Sequence, residues 1–156
     1  MFENMEKIII GIDPGIKGGI AIYENGKIIE AVKMPFTPAE LFHFLKEKTE
    51  GKQACCYLEK VQGMPGQGAN AMFTFGKGFG HLEMALIACN IPTYEVTPQK
   101  WQKTLQVGNK GTKTKAEWKN KLKAKAEMLY PYLGKQITLA TSDAILICHY
   151  GVINEK

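Results

Sequence analysis

Three acidic residues stand apart by what surrounds them. Asp13 ends the run Ile8-Ile9-Ile10-Gly11-Ile12 and is followed by Pro14-Gly15, Glu59 ends Ala54-Cys55-Cys56-Tyr57-Leu58, and Asp143 opens Ala144-Ile145-Leu146-Ile147. A carboxylate delivered to the end of an apolar element costs several kcal/mol if it is buried unpaired, so it needs a cation or strong donors. Carboxylates that converge also raise each other's pKa, and divalent cations relieve that repulsion. Hard oxygen donors select Mg²⁺ or Mn²⁺. Two such ions about 4 Å apart activate a water and stabilise the leaving oxygen of a phosphodiester. Each acid also has a plainer reading. Asp13 can hydrogen-bond its own turn, Glu59 can pair with Lys60 or another surface lysine, and Asp143 can be a helix-start acid favoured by the macrodipole. All three together, with a basic helix between the second and third, favour the chemical reading.

The elements that must position these acids follow from periodicity and punctuation. Residues 7–13, 17–23 and 26–33 read as consecutive strands joined by tight turns, with Asn25-Gly26 as a hairpin signal. Thr37 caps a helix that starts at Pro38 and carries Leu41, Phe42 and Leu45 to about Thr49. Residues 54–59 form a fourth strand, and the loop 60–68 is rich in Gly and Pro. A helix over 70–90 is loosened by Gly76, Gly78 and Gly80, and 91–96 reads as an edge strand because of Pro92. Thr97-Pro98 starts a short helix holding Trp101. A lysine-rich linker, 108–114, leads to a helix over 114–130 that Pro131 halts, and a last helix spans 141–153. Antiparallel strands followed by alternating strands and helices predict an α/β layer, a mixed five-stranded sheet flanked by helices, in a single domain over 1–156. If the first and fourth strands are parallel neighbours, Asp13 and Glu59 share one edge.

The charge is placed unevenly. All 20 basic residues of the 156 are lysine, and the chain carries a net +5. Nine of those lysines, with Glu117 as the single acid, fall between Lys100 and Lys125, so the rest of the chain is acidic on balance. One basic block on such a body predicts a directed contact with a phosphate backbone. A solvated helix face is the alternative, but such faces usually alternate in sign. Cys55, Cys56, Cys89 and Cys148 form no CxxC pair and sit in apolar stretches, as reduced core thiols do. No apolar run approaches the length of a membrane span, and the first residues resemble no signal peptide, so a cytoplasmic or nucleoid-associated protein with no membrane partner is expected.

Taken in order and spacing, Gly11-Ile12-Asp13-Pro14-Gly15, Leu58-Glu59-Lys60-Val61 and Ser142-Asp143-Ala144-Ile145-Leu146-Ile147-Cys148-His149 resemble the three acidic motifs of RuvC-type Holliday junction resolvases. The resemblance spans nearly the whole chain. Thr97-Pro98-Gln99-Lys100-Trp101-Gln102 and Thr138-Leu139, ahead of Asp143-Ala144, are similar to the phage-associated branch. The resemblance implies an RNase H-like fold, a homodimer and symmetric, Mg²⁺-dependent nicking of four-way DNA, with Mn²⁺ as substitute and no nucleotide cofactor. It makes Asp13, Glu59 and Asp143 the ligands of two ions, and gives Lys115 a part in holding the scissile phosphate. Lys110, Lys113, Lys115 and Lys119 would track phosphates, and the segment holding Met64, Met72, Phe73 and Phe75 would probe the junction centre, with Phe73 or Phe75 stacking on bases. The helix around 70–90 is the candidate dimer surface. Family members commonly carry a fourth ligand three residues before the last acid. Here that residue is Ala140, so water, Thr141, Ser142 or nothing takes the place. A protein that binds junctions without cutting them is therefore the competing expectation. Trp118 is expected in the core, and His81 and His149 as satisfied helix residues. An actin-like phosphotransferase, whose first phosphate loop also resembles the Asp13 turn, needs about twice this length.

Overall fold

A computed structural model describes residues 7–61 and 66–156. Five strands form one mixed sheet, β1 (Ile8–Asp13), β2 (Gly19–Glu24), β3 (Lys27–Lys33), β4 (Ala54–Glu59) and β5 (Thr93–Val96), in the order β3-β2-β1-β4-β5. β1, β2 and β3 are antiparallel neighbours, whereas β4 runs parallel to both β1 and β5. The helices are α1 (Pro38–Thr49), α2 (Ala69–Ala88), α3 (Pro98–Thr104), α4 (Lys115–Leu129) and α5 (Ser142–Asn154), with a 3₁₀ segment at Pro131–Gln136. The expected mixed five-stranded sheet flanked by helices is what forms.

Strand alternation divides the core into two layers. Ile8, Ile10, Ile12, Cys56 and Leu58 face Leu41 and Leu45 of α1 and Leu82 and Leu86 of α2. On the opposite face Ile9, Cys55 and Tyr57 pack with α4 and α5. α5 is buried on almost every side from Ser142 to Cys148, which accounts for its unbroken apolar run. It lies backbone against strand at Gly11, where an added Cβ would stand 2.3 Å from the Cys148 nitrogen and 2.4 Å from the Ala144 carbonyl oxygen. No side chain fits there, and that close approach sets how deeply the start of α5 reaches toward the end of β1.

Local signals place most boundaries. Thr37 and Glu40 form a reciprocal capping box on α1, and Thr114 and Glu117 form another on α4. β2 begins at Gly19 and not at residue 17, because residues 15–18 close a turn in which the Gly18 N–H donates to the Gly15 carbonyl at 3.0 Å. α2 runs unbroken through Gly76, Gly78 and Gly80, beside each of which the structure leaves open space. The 3₁₀ segment was not expected from the sequence, and it covers the β3 edge: the Ala31 N–H donates to Gln136 Oε1 at 3.0 Å, and the Tyr132 hydroxyl donates to the Ile28 carbonyl at 2.8 Å. All four cysteines are free. Among the described residues no helix is long and apolar enough to cross a membrane.

Candidate active site

β1 and β4 lie in parallel register with Ile12 opposite Leu58, so the next residues, Asp13 and Glu59, end adjacent strands side by side. By alternation Asp13 follows Ile9 and Gly11 onto the α5 face, and Glu59 follows Cys55 and Tyr57 onto the same face. Asp143 enters from above, as the second residue of α5. Three segments far apart in the chain thus bring their carboxylates to one lip of the sheet.

Each carboxylate is held differently. Asp143, only 6% exposed, accepts from Lys119 Nζ of α4 at 2.7 Å through Oδ2, while its Oδ1 is buried with no partner. Glu59 accepts from the indole Nε1–H of Trp101 at 2.8 Å through Oε2. No described residue hydrogen-bonds the Asp13 carboxylate. Burial, reinforced by the charges of Asp143 and Glu59 and opposed by Lys119, pushes Asp13 up to about 8. Glu59 is also raised, by burial first, against the Trp101 hydrogen bond and with a further push from Asp143. Burial alone would lower Lys119, but Asp143, Asp13 and Glu59 together outweigh it and raise its pKa, so its ammonium stays charged. The result is an acid pocket with one resident cation, short of positive charge.

This architecture has solved counterparts. No known family model and no curated protein sequence matches the chain. Thermus thermophilus RuvC matches in structure at a TM-score of 0.60 and 16% identity, over 95% of both chains. T. thermophilus RuvC in complex with Holliday junction substrate matches at 0.62 and 15% identity, over 95% of this chain and 94% of that one. The fold is RuvC-type.

On this RuvC-type fold the remaining expected residues separate. Lys119 joins the acids; Lys115, one turn earlier on α4, is exposed and makes no ion pair among the described residues. Lys110 and Lys113 lie exposed in the loop before α4. Phe73 is 72% exposed on α2, whereas Phe75 stacks on Phe79 and lies within 3.3 Å of where a Gly15 Cβ would be, packing against the turn that follows Asp13. Met64 lies outside the described residues. Trp118 is buried in the core cluster, as expected. His149 is engaged through Nδ1 with the Tyr130 hydroxyl.

The two hydroxyls beside Ala140 both donate to backbone carbonyls, which leaves the Ser142 oxygen its lone pairs. Thr141 donates to the Gln136 carbonyl at 2.6 Å, and Ser142 donates to the Thr138 carbonyl. Both anchor the start of α5 to the chain before it. Trp101 and its bond to Glu59 are the part of the site that sequence reasoning missed. The available signal was a tryptophan shortly after a strand, since a buried indole N–H must find an acceptor.

As the side chains stand, no three His, Cys, Asp or Glu among the described residues are gathered tightly enough to hold a metal ion. Lys119 stands on Asp143 instead. The donor chemistry nevertheless fits a hard divalent cation: three carboxylates, an orphaned buried Oδ1 on Asp143, and an Asp13 carboxylate with no donor.

Proposed function

We propose that this chain is a structure-selective endodeoxyribonuclease that resolves four-way DNA junctions by Mg²⁺-dependent hydrolysis, with Mn²⁺ as substitute. The observation that carries this reading is the meeting of Asp13 and Glu59 on adjacent parallel strand ends beneath Asp143. Those three carboxylates would hold the cations, which supply a polarised phosphodiester and a water of lowered pKa. The chain's own groups do the rest. Lys119 neutralises Asp143 before any cation arrives, and its ammonium then lies within the site as a partner for phosphate charge. The exposed Lys110, Lys113 and Lys115 lead duplex backbone toward the acid lip. That T. thermophilus RuvC has been solved with Holliday junction substrate supports branched DNA as the ligand class. Symmetric nicking needs two sites, so the active form would be a homodimer.

A second reading is favoured by two observations. Ala140, three residues before Asp143, offers no carboxylate. With Lys119 on Asp143 as well, the protein would bind junctions without cutting them. Labelled four-way and linear DNA, compared in gel shifts and in cleavage reactions with Mg²⁺ or Mn²⁺, separate the two. The nuclease reading expects paired symmetric nicks in four-way DNA alone, and binding without nicks by Asp13→Asn. Tight junction binding with no cleavage by the wild type in either metal leaves the second reading.

A further inference from the structure

We propose that Trp101 is a positioning residue for Glu59: its indole N–H fixes Oε2 and leaves Oε1 as the oxygen available to a divalent cation. The proposal rests on Glu59 being a metal ligand and adds how that ligand is held. Trp101 is 0% exposed and its ring belongs to the core, whereas Glu59 is only half-buried at the strand end. The fully buried ring therefore orients the less buried carboxylate across their 2.8 Å bond. Its placement is tied to the same strand pair. Val96 is in register with Glu59, the Lys60 N–H donates to the Val96 carbonyl at 2.7 Å, and α3 starts directly afterwards under the Thr97 cap. The type of donor matters too. An indole N–H is a neutral donor that cannot accept, so it holds a carboxylate without cancelling its charge. Lysine in that place would neutralise Glu59, as Lys119 neutralises Asp143.

The test is Mn²⁺ titration of the full chain, followed by the electron paramagnetic resonance signal of the free ion. Trp101→Phe removes the N–H. Benzothienylalanine at position 101, which replaces the N–H by sulfur and keeps the ring shape, covers the case in which Trp101→Phe fails to fold. Either should weaken Mn²⁺ binding by about tenfold, the size of effect usual for groups that orient metal ligands. Glu59→Gln should weaken it as well, and adding the position-101 change to Glu59→Gln should cost nothing further, an interaction that a purely structural tryptophan does not produce. Unchanged Mn²⁺ affinity in the benzothienyl protein, with Glu59→Gln impaired, overturns the positioning role and leaves the ligand reading standing. Unchanged affinity in Glu59→Gln removes the ligand reading, and the positioning role falls with it.

Discussion

Lys119 donates to Asp143 at 2.7 Å, bridging the second turn of α4 to the first turn of α5 over a pocket that holds two more carboxylates. The pair satisfies one oxygen of Asp143 and leaves the other buried and bare. Lys119 thus sets one ammonium among the acids, on the helix that also carries the exposed Lys115.

Removing that cation should cost stability only while no divalent ion is present. Lys119→Met strands the Asp143 carboxylate, and because the lysine side chain is about a third exposed, screening trims the loss to about 1–2 kcal/mol. Thermal melts should show a gap of a few degrees in chelator that narrows in saturating Mg²⁺. Metal affinity itself should rise, since a nearby positive charge has gone. An identical gap in chelator and in Mg²⁺ would count against a role for Lys119 in neutralising Asp143.

Asp13 makes a pH prediction of definite sign. Its folded value of about 8 lies above the ordinary carboxyl range, so between about pH 4 and pH 8 the folded metal-free protein keeps a proton that the unfolded chain has lost. The stability associated with that proton is complete below the unfolded pKa and disappears as pH rises through the folded one, at no more than about 1.4 kcal/mol per pH unit. Asp13→Asn cannot titrate, so its stability in chelator should fall less steeply from pH 5 to pH 8, and at pH 8 it should exceed the wild type. Parallel pH profiles for the two proteins would show that burial and the neighbouring acids do not raise Asp13.

Much of this was open to reading from residues alone, for a physical reason. β-Branched runs that stop at Pro-Gly or at an acid mark strand ends, whereas the parallel pairing of the first and fourth strands is only a condition in the sequence, one that the structure meets. What stayed hidden depends on depth and rotation. Lys115 and Lys119 share a helix face, and only the docking of α4 against α5 decides that the second reaches Asp143. The Trp101 bond depends on which strand lies beside β4, a relation between distant segments. The hydroxyl bonds of Thr141 and Ser142 depend on the chain between the 3₁₀ segment and α5, which the sequence shows only as a helix stop at Pro131.

Lysines that track phosphates reveal themselves through salt. Lys110, Lys113 and Lys115 are exposed, so replacing all three by Ala should leave the melting temperature near that of the wild type. The slope of log affinity for four-way DNA against log salt should flatten by about 0.9 for each lost phosphate contact. A weaker but equally steep binding curve would mean that these side chains do not meet the backbone.

Phe73 and Phe75 should give opposite phenotypes despite lying two residues apart. Phe73 projects into solvent, so Phe73→Ala should change stability by no more than about 0.5 kcal/mol. If it stacks on junction bases, the same change should cost about 1–3 kcal/mol of junction affinity and much less for uninterrupted duplex. Phe75 is half-buried against Phe79 and the Gly15 turn, and Phe75→Ala should lose about 1–2 kcal/mol of folding stability. Comparing chemical denaturation with junction gel shifts for both variants checks the division. A large stability loss in Phe73→Ala would place it in the core instead.

Gly11 connects the fold to the chemistry most directly. The α5 backbone passes so close that a methyl group at position 11 would overlap the Cys148 nitrogen and the Ala144 oxygen, neither of which can swing aside as a side chain could. Gly11→Ala must therefore lift α5 from β1 or bend the strand, at a cost of about 3 kcal/mol or more. Asp143 rides on the first turn of the displaced helix and Asp13 lies two residues along the displaced strand, so their spacing changes in either case. A lowered urea midpoint together with weakened Mn²⁺ binding in the fraction that still folds is the expected pair of results. A wild-type midpoint would mean that helix and strand are not in the contact that brings the three acids together.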